Sequence, residues 1–354
     1  MESYDVTEWG KPLQRLLKET PTPQGTEVLV RLRYCGVCHS DVHIRDGVMD
    51  LGGGKKIVLG ERGFKLPLTL GHEPFGTVVA GGPDAGPVTV GSNVVVYPWI
   101  GCGTCARCAE GNENLCMAPR NLGLHRPGGF ADHLLVAHPR YLVDATGLDP
   151  AYAATLACSG LTAYSAARKL APIPAPEWVL VIGAGGLGLS VIAALRAMGH
   201  ERIACADVDA AKLAAAGAAG ATALIDSSGD TAIQKAQQAL TGPIYGAVDL
   251  VGTAATAALA LALFRRGGHY VGVGLYGGEL PFSISAMIQR GLTLQGSLTG
   301  TLAELREVIA LAQSGKLKPI PVATRPLSAA GQTLDDLAGG RISGRVVLEM
   351  AAAD

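Results

Sequence analysis

Apolar and polar residues alternate in short runs across the first 155 residues, at 28–34, 76–80, 94–97 and 134–136. A period of two puts every second side chain on one face, so these runs predict half-buried strands joined by Gly- and Pro-containing turns. The opening part of the chain is expected to be a compact β-rich unit. Between 46 and 66 the alternation stops, and Gly52-Gly53-Gly54-Lys55-Lys56 lies in a stretch too polar for a core element. That stretch is expected to be a surface loop or lid.

Beyond residue 160 the texture becomes apolar strands alternating with Ala-rich helical periods. Strands are predicted at 179–182, 203–206, 223–225, 248–251, 270–273 and 292–295, and helices at 187–198, 210–219, 231–240 and 254–264. Six parallel strands linked by helices make a doubly wound α/β sheet of the dinucleotide-binding type. A helix at 302–313 and a strand at 345–348 follow. The six-stranded unit is already complete, so this tail is expected to rejoin the first unit.

Residues 178–195 carry no charge over 18 positions, enough for a marginal membrane span. The run breaks after five apolar residues into Gly183-Ala184-Gly185-Gly186-Leu187-Gly188, which ends a strand and opens a helix, so the span is rejected. A net charge of −1 without blocks of like charge excludes nucleic acid and anionic membrane as natural partners and favours a small molecule. Met1-Glu2-Ser3-Tyr4-Asp5 lacks the apolar core of a secretory signal, so a cytoplasmic location is expected. The eight cysteines are then expected to be thiols or metal ligands rather than disulfides.

Their spacing points to metal. Cys102, Cys105, Cys108 and Cys116 form a C-x2-C-x2-C-x7-C array, and four thiolates close a tetrahedron about zinc with no open position, which suits a structural site. A catalytic zinc instead needs three protein ligands and an open position. Cys38-His39-Ser40-Asp41-Val42-His43 gathers a thiol, a hydroxyl, a carboxylate and two imidazoles at the end of the strand predicted at 28–34. Alone it reads equally as a turn with a buried cysteine. His72-Glu73 offers an imidazole beside a carboxylate, and Cys158 lies where the texture changes, a place where clefts between units form.

The glycine run at 183–188 fits the dinucleotide fingerprint. Gly183 serves the tight turn, Gly185 the close approach of a pyrophosphate and Gly188 the packing of helix on strand, while the helix start at Leu187 supplies free N–H groups. Asp207 lies 24 residues beyond Gly183, at a second strand end, where a carboxylate accepts ribose hydroxyls and repels a 2′-phosphate. NAD is expected over NADP.

Taken in order, the hexapeptide at 38–43, Gly71-His72-Glu73, the four-cysteine loop, Cys158 and the fingerprint resemble the zinc-dependent alcohol dehydrogenases of the medium-chain dehydrogenase/reductase superfamily, over about residues 25–350. The resemblance implies a GroES-like catalytic domain made of 1–157 and 302–354, holding both zinc sites, and a Rossmann cofactor domain at 158–301. It implies Cys38, His72 and Cys158 as ligands of the catalytic zinc, with Glu73 approaching the metal during ligand exchange and Asp41 orienting His72. Ser40 and His43 would pass the substrate proton outward. His39 and Arg345 would contact the pyrophosphate and Lys212 the adenosine side. Thr162 would lie near the nicotinamide, with Gly186, Val251, Val273 and Leu275 also facing the cofactor. Trp99 and Leu298 would wall the substrate pocket. Competing readings are a surface charge for Arg345, a solvated helix residue for Lys212 and a core aromatic for Trp99. Cys35 and Cys205 match no ligand and are expected to be strand-core thiols.

The expected reaction is reversible oxidation of primary or secondary alcohols to aldehydes or ketones by hydride transfer to NAD, with two zinc ions per chain. A polyol dehydrogenase of the same superfamily and a non-catalytic NAD-binding protein are the alternatives. The resemblance implies a homotetramer, with a dimer as alternative, and the edge at 292–297 is expected to pair between subunits. The 34 positions from Cys38 to His72 exceed the link in compact bacterial and yeast members of the family, and the excess falls at 46–66.

Overall fold

The computed structural model describes residues 1–174, 176–280 and 282–351. The first sheet is built on Val28–Gly36, where Val28, Val30 and Leu32 are buried while Arg31 and Arg33 face solvent. This strand pairs antiparallel with Glu73–Gly81, with His133–Val136 and with Arg345–Glu349. Asn93–Val96 and Leu142–Asp144 extend the sheet on one side, and Val322–Pro326 ends it on the other. A smaller sheet joins Gln14–Leu17, Glu2–Val6 and Leu68–Thr69.

The tail returns to the first sheet, as its surplus over six strands implied. Val322–Pro326 and the helix Ala330–Ala338 are additions to the expected elements. The strand is short and ends in Pro, which reads against a sheet interior, and its place at the sheet edge resolves the conflict.

The second sheet has six strands in the order Ala223–Asp226, Ile203–Asp207, Trp178–Ile182, Ile244–Asp249, Phe264–Gly272 and Thr293–Gly296, and every neighbouring pair is parallel. In chain order this is 3-2-1-4-5-6, so the strand order reverses between Trp178–Ile182 and Ile244–Asp249. A crevice for ligands opens at the carboxyl ends of the strands at that point. The uncharged run at 178–195 divides into a wholly buried strand and the helix Gly186–Ala197. Among the described residues, no helix is long and apolar enough to cross a membrane. The helix Ile284–Arg290 has no buried residue, so it left no core periodicity in the sequence.

The stretch 46–66, expected as a surface loop or lid, lies at the surface but has regular structure. Val48–Gly52 and Lys55–Val58 form an antiparallel hairpin, followed by a single 3-10 turn at Gly60–Arg62. Gly52, Gly53 and Gly54 take φ of +82°, +58° and +74°, so the polar glycine tract is the hairpin turn itself. Its tip meets the cofactor-side segment after Phe264–Gly272, where a Cβ at Gly52 would fall 2.7 Å from the Gly277 carbonyl oxygen.

Candidate active site and metal centres

The hexapeptide is not a turn but the start of the helix His39–Asp46. Cys38 is its N-cap, and Asp41, three residues on, accepts a hydrogen bond from the Cys38 backbone N–H at 2.9 Å. The same buried carboxylate accepts from Gly71 N at 3.2 Å and lies 3.0 Å from Nδ1 of His72. With Nδ1–H directed at a carboxylate, Nε2 of His72 presents its lone pair, and that atom is buried without a partner. A buried imidazole acceptor left open in this way is what a cation ligand requires.

Cys158 reaches the same place from a π-helical turn, Leu156–Gly160, set between the helices Pro150–Thr155 and Leu161–Arg168. The ligand atoms of Cys38, His72, Glu73 and Cys158 all lie within 4.8 Å of one another. A hydrogen bond from Cys158, helped by His72, holds the Cys38 thiol well below its ordinary value despite burial. The same bond and burial drive Cys158 well above its own. Only a nearby cation lets two such thiols ionise together. Burial opposes charge on His72, yet the Asp41 carboxylate and its hydrogen bond push it well above the ordinary imidazole range.

Glu73 and Arg345 meet over a glycine. Gly36 pairs with Glu73 on one flank and with Val347 on the other. A Cβ at Gly36 would fall 2.0 Å from Glu73 Oε2, so only glycine leaves room for the carboxylate. Arg345 donates to Glu73 Oε1 in a buried ion pair, while Oε2 has no partner. Burial lifts the Glu73 carboxyl to about 7, against the pull of Arg345. The surface-charge reading of Arg345 is therefore overturned. Its stem also lies against the fingerprint, since a Cβ at Gly186 would fall 2.4 Å from Arg345 Cδ.

In the fingerprint, Gly183 takes φ +96°, and a Cβ at Gly188 would fall 1.9 Å from the Gly183 carbonyl. A Cβ at Gly185 would meet no atom within 4 Å, which leaves the space beside Gly185 and Leu187 open for a phosphate. Asp207 Oδ2 accepts from Ala184 N at 2.7 Å, tying the second strand end to the fingerprint turn. Half-buried His39 has its pKa lowered by burial, with further lowering from His43, Arg345 and Lys212, so cationic groups converge beside the fingerprint. These features fit a dinucleotide.

Ser40 Oγ lies 3.9 Å from Cys38 Sγ, and the His43 ring is 6.4 Å from that of His39. Thr162 Oγ1 is buried without a partner. Trp99 is half-buried, with its ring 5.2 Å from His72 and an unpartnered indole N–H. Val251, Val273 and Lys212 are partly buried, and Leu275 and Leu298 are exposed. Cys35 and Cys205 are fully buried in strands. Tyr276, which sequence reasoning passed over, lies 6.1 Å from His39 across the crevice. Its only signal was adjacency to the turn at Leu275.

The four-cysteine lobe contains the short helix Ala106–Ala109 and the turn Glu113–Leu115. Its Sγ atoms approach at 3.9 Å for Cys102–Cys108, 3.5 Å for Cys105–Cys108 and 3.8 Å for Cys105–Cys116. A tetrahedron with Zn–S bonds of about 2.3 Å has edges of about 3.8 Å, so the spacing fits zinc. Backbone N–H groups of Cys102 and Ala118 donate to Cys116 Sγ, the polarity a thiolate needs. Hydrogen bonds from Thr104 bring Cys102 down to about 5, while burial and the neighbouring thiols lift Cys108 to about 12. Such a split is expected of thiols too close to ionise together without a cation.

A doubly wound sheet whose fingerprint adjoins a buried thiolate–imidazole cluster defines a class: the dinucleotide-dependent oxidoreductases with a metal at the reacting centre. Residues 24–146 match the alcohol dehydrogenase GroES-like domain, and residues 186–314 match the zinc-binding dehydrogenase family. The chain is 35% identical to an NAD-dependent alcohol dehydrogenase of Sulfurisphaera tokodaii over 349 residues, 98% of this chain and 99% of that one. It is 33% identical to a D-arabinose 1-dehydrogenase (NADP(+)) of Saccharolobus solfataricus, covering 97% of this chain and 96% of that one. The crystal structure of the alcohol dehydrogenase of Aeropyrum pernix superposes with a TM-score of 0.88 at 30% identity, covering 99% and 100% of the two chains. The chain belongs to the zinc-dependent medium-chain alcohol dehydrogenase family.

Proposed function

We propose that this protein is a two-zinc alcohol dehydrogenase that prefers NAD and oxidises primary or secondary alcohols reversibly to aldehydes or ketones. The observation that carries the reading is the convergence of Cys38, His72, Glu73 and Cys158, with the His72 acceptor nitrogen buried and open. Cys38, His72 and Cys158 would hold the catalytic zinc, and Cys102, Cys105, Cys108 and Cys116 the structural one. Zinc with an open coordination position polarises a bound alcohol or carbonyl oxygen and lowers the pKa of the alcohol. The nicotinamide cofactor, held by the residues of the fingerprint, would supply the hydride acceptor.

The chain supplies the rest. Asp41 keeps His72 in one tautomer and orientation. Ser40 and His43 carry the hydroxyl proton outward as the carbinol hydride leaves, so alcohol and oxidised cofactor become carbonyl, reduced cofactor and one proton. Gly183, Gly185 and Gly188 seat the pyrophosphate with His39 and Arg345, and Thr162 offers a hydroxyl beside the nicotinamide. Asp207 accepts the ribose hydroxyls and disfavours a 2′-phosphate. Glu73, held by Arg345, stays within reach of the metal without needing to be a permanent ligand. Trp99 and Leu298 limit the pocket.

Residues 1–157 and 302–354 form the catalytic domain in this reading, and 158–301 the cofactor domain. A polyol dehydrogenase is the second reading. The sugar dehydrogenase relative favours it, and the thiolate of Cys158, where a carboxylate would suit a polyol enzyme, disfavours it. Among the described residues the strand Thr293–Gly296 ends its sheet with an unpaired edge, and Ile284 and Ile288 in the preceding helix are exposed, which supports pairing between subunits and a homotetramer. A cytoplasmic location belongs to this reading, since thiols stay reduced there and available to a metal.

The test is NADH formation, followed by absorbance, with a panel of alcohols and polyols on metal-quantified protein. Two zinc ions and alcohol-dependent turnover are expected, and Cys38→Ser should lose one zinc and the activity while keeping its circular dichroism. Full activity in zinc-depleted Cys38→Ser protein would overturn the mechanism.

A further inference from the structure

Two side chains from the first-sheet unit reach the segment that follows the last strand of the parallel sheet. Asn114 Nδ2 donates to the Leu298 carbonyl at 2.7 Å, and the buried Tyr97 hydroxyl donates to the Gly300 carbonyl at 2.8 Å. Thr299, between the two anchor points, takes φ +47°. A β-branched residue keeps that left-handed conformation only when its surroundings over-determine it. The side chains of the segment do not supply the restraint, because Ser297 Oγ and Thr299 Oγ1 are buried without partners. Asn114 and Tyr97 restrain the turn at Leu298 and Gly300, and Gly272 O, which accepts from Ser297 N at 2.8 Å, holds its start.

The turn that carries Asn114 is firmly placed, although Asn114 Oδ1 is buried without a partner. Asn114 sits in the turn Glu113–Leu115, two residues before Cys116. Glu113, buried beside it, accepts from Gly101 N at 2.9 Å and from the Tyr141 hydroxyl at 2.8 Å. The four-thiolate lobe therefore presents an amide donor to a strained turn that follows the last strand of the parallel sheet.

We infer that Asn114 is a positioning residue for the substrate: through the Leu298 carbonyl it sets the turn at 297–300 and so the wall that Leu298 presents to the alcohol. The inference rests on the alcohol dehydrogenase reading and on Leu298 as a pocket wall. It gives the four-cysteine lobe a task in specificity as well as in folding.

The experiment compares the zinc-loaded enzyme with Asn114→Ala, Asn114→Asp, Thr299→Gly and the double variant Asn114→Ala/Thr299→Gly. Loss of one hydrogen bond to a carbonyl should raise the alcohol KM roughly fivefold to tenfold in Asn114→Ala, with kcat changed by less than about twofold. Asn114→Asp keeps the shape but sets an acceptor against an acceptor, so its KM should rise further. Glycine holds a left-handed φ unaided, so the double variant should return to the KM of Thr299→Gly alone. Zinc content should stay at the wild-type value throughout. Unchanged KM in Asn114→Ala and Asn114→Asp, no rescue by Thr299→Gly, or loss of zinc from Asn114→Ala would each overturn the inference. If the wild-type protein oxidises no alcohol, the functional reading fails by itself. A crystal structure of Asn114→Ala separates the two failures: Thr299 leaving the left-handed region supports the hold of Asn114 on the turn, and Thr299 staying there refutes it.

Discussion

Oδ1 of Asp41 lies 3.0 Å from Nδ1 of His72, and the same side chain caps the helix that begins after Cys38. One carboxylate thus orients two of the proposed zinc ligands, one through its ring and one through its backbone. Asp41→Asn keeps the size but removes the charge that holds the ring tautomer. Zinc affinity at this site should fall about 10- to 100-fold, as when such a partner of a ligating histidine is removed. Chelator competition with metal analysis measures it, and release of only one zinc per chain at low chelator is the expected pattern. Identical release curves for variant and wild type would refute the role.

The four-cysteine lobe should behave differently. Cys105 Sγ touches both Cys108 and Cys116, so Cys105→Ser opens the tetrahedron in its middle. The variant should lose the lobe's zinc and keep the other, with Tm lowered by about 1 to 3 °C, the shift that about one to two kcal/mol gives in a chain of this size. Differential scanning calorimetry with zinc quantification checks this. A variant with two zinc ions and the wild-type Tm would show the lobe to be metal-independent.

Asp207 links the second strand of the parallel sheet to the fingerprint through Ala184 N. Replacing it with Gly removes the charge that repels a 2′-phosphate. The ratio of kcat/KM for NADP over NAD should rise about 10- to 100-fold, chiefly through the KM values. A wild-type enzyme already faster with NADP would contradict the cofactor preference itself.

Asp336 offers a pH test at a group outside the proposed metal sites. Hydrogen bonds from Arg325 at 2.7 Å, Gln332 and Arg341 hold its carboxyl at about 2, below the ordinary 3.8. A depressed carboxyl stabilises the fold above its unfolded value and loses that contribution as pH falls through the folded one. The Tm of wild type should therefore exceed that of Asp336→Asn near neutral pH, and the gap should close between about pH 4 and pH 2. A gap that stays constant over that window would assign the effect to packing.

Long, strongly periodic elements were legible in advance. The helices Ala210–Ala219 and Leu302–Gln313 lie where their apolar spacing put them, and the six parallel strands appear in the expected succession. The cysteine lobe was legible too, because its chemistry is local to fifteen residues, 102–116. What escaped reading depends on partners remote in the chain. The helix His39–Asp46 is held by a cap and two buried apolar residues, too little periodicity to register. The hairpin at Val48–Val58 hid behind glycines whose positive φ marks a turn only once both strands are seen. That Glu73 and Arg345 share a glycine between them follows from which strands flank Val28–Gly36, and no local pattern records strand order.

The Glu73–Arg345 pair spans 272 positions, nearly the whole chain. A ribosome making this protein from the amino end produces Cys38, His72 and Cys158 long before Arg345 and the strand that seats it. Until then Glu73 is an uncompensated acid, and Val28–Gly36 lacks its neighbour along the flank that carries Val347. Domains generally fold as units during synthesis, but this one closes with its last strand. The reacting centre thus waits for the strand Arg345–Glu349, and a polypeptide halted before it would carry the metal-binding residues without the enclosure that makes them an active site.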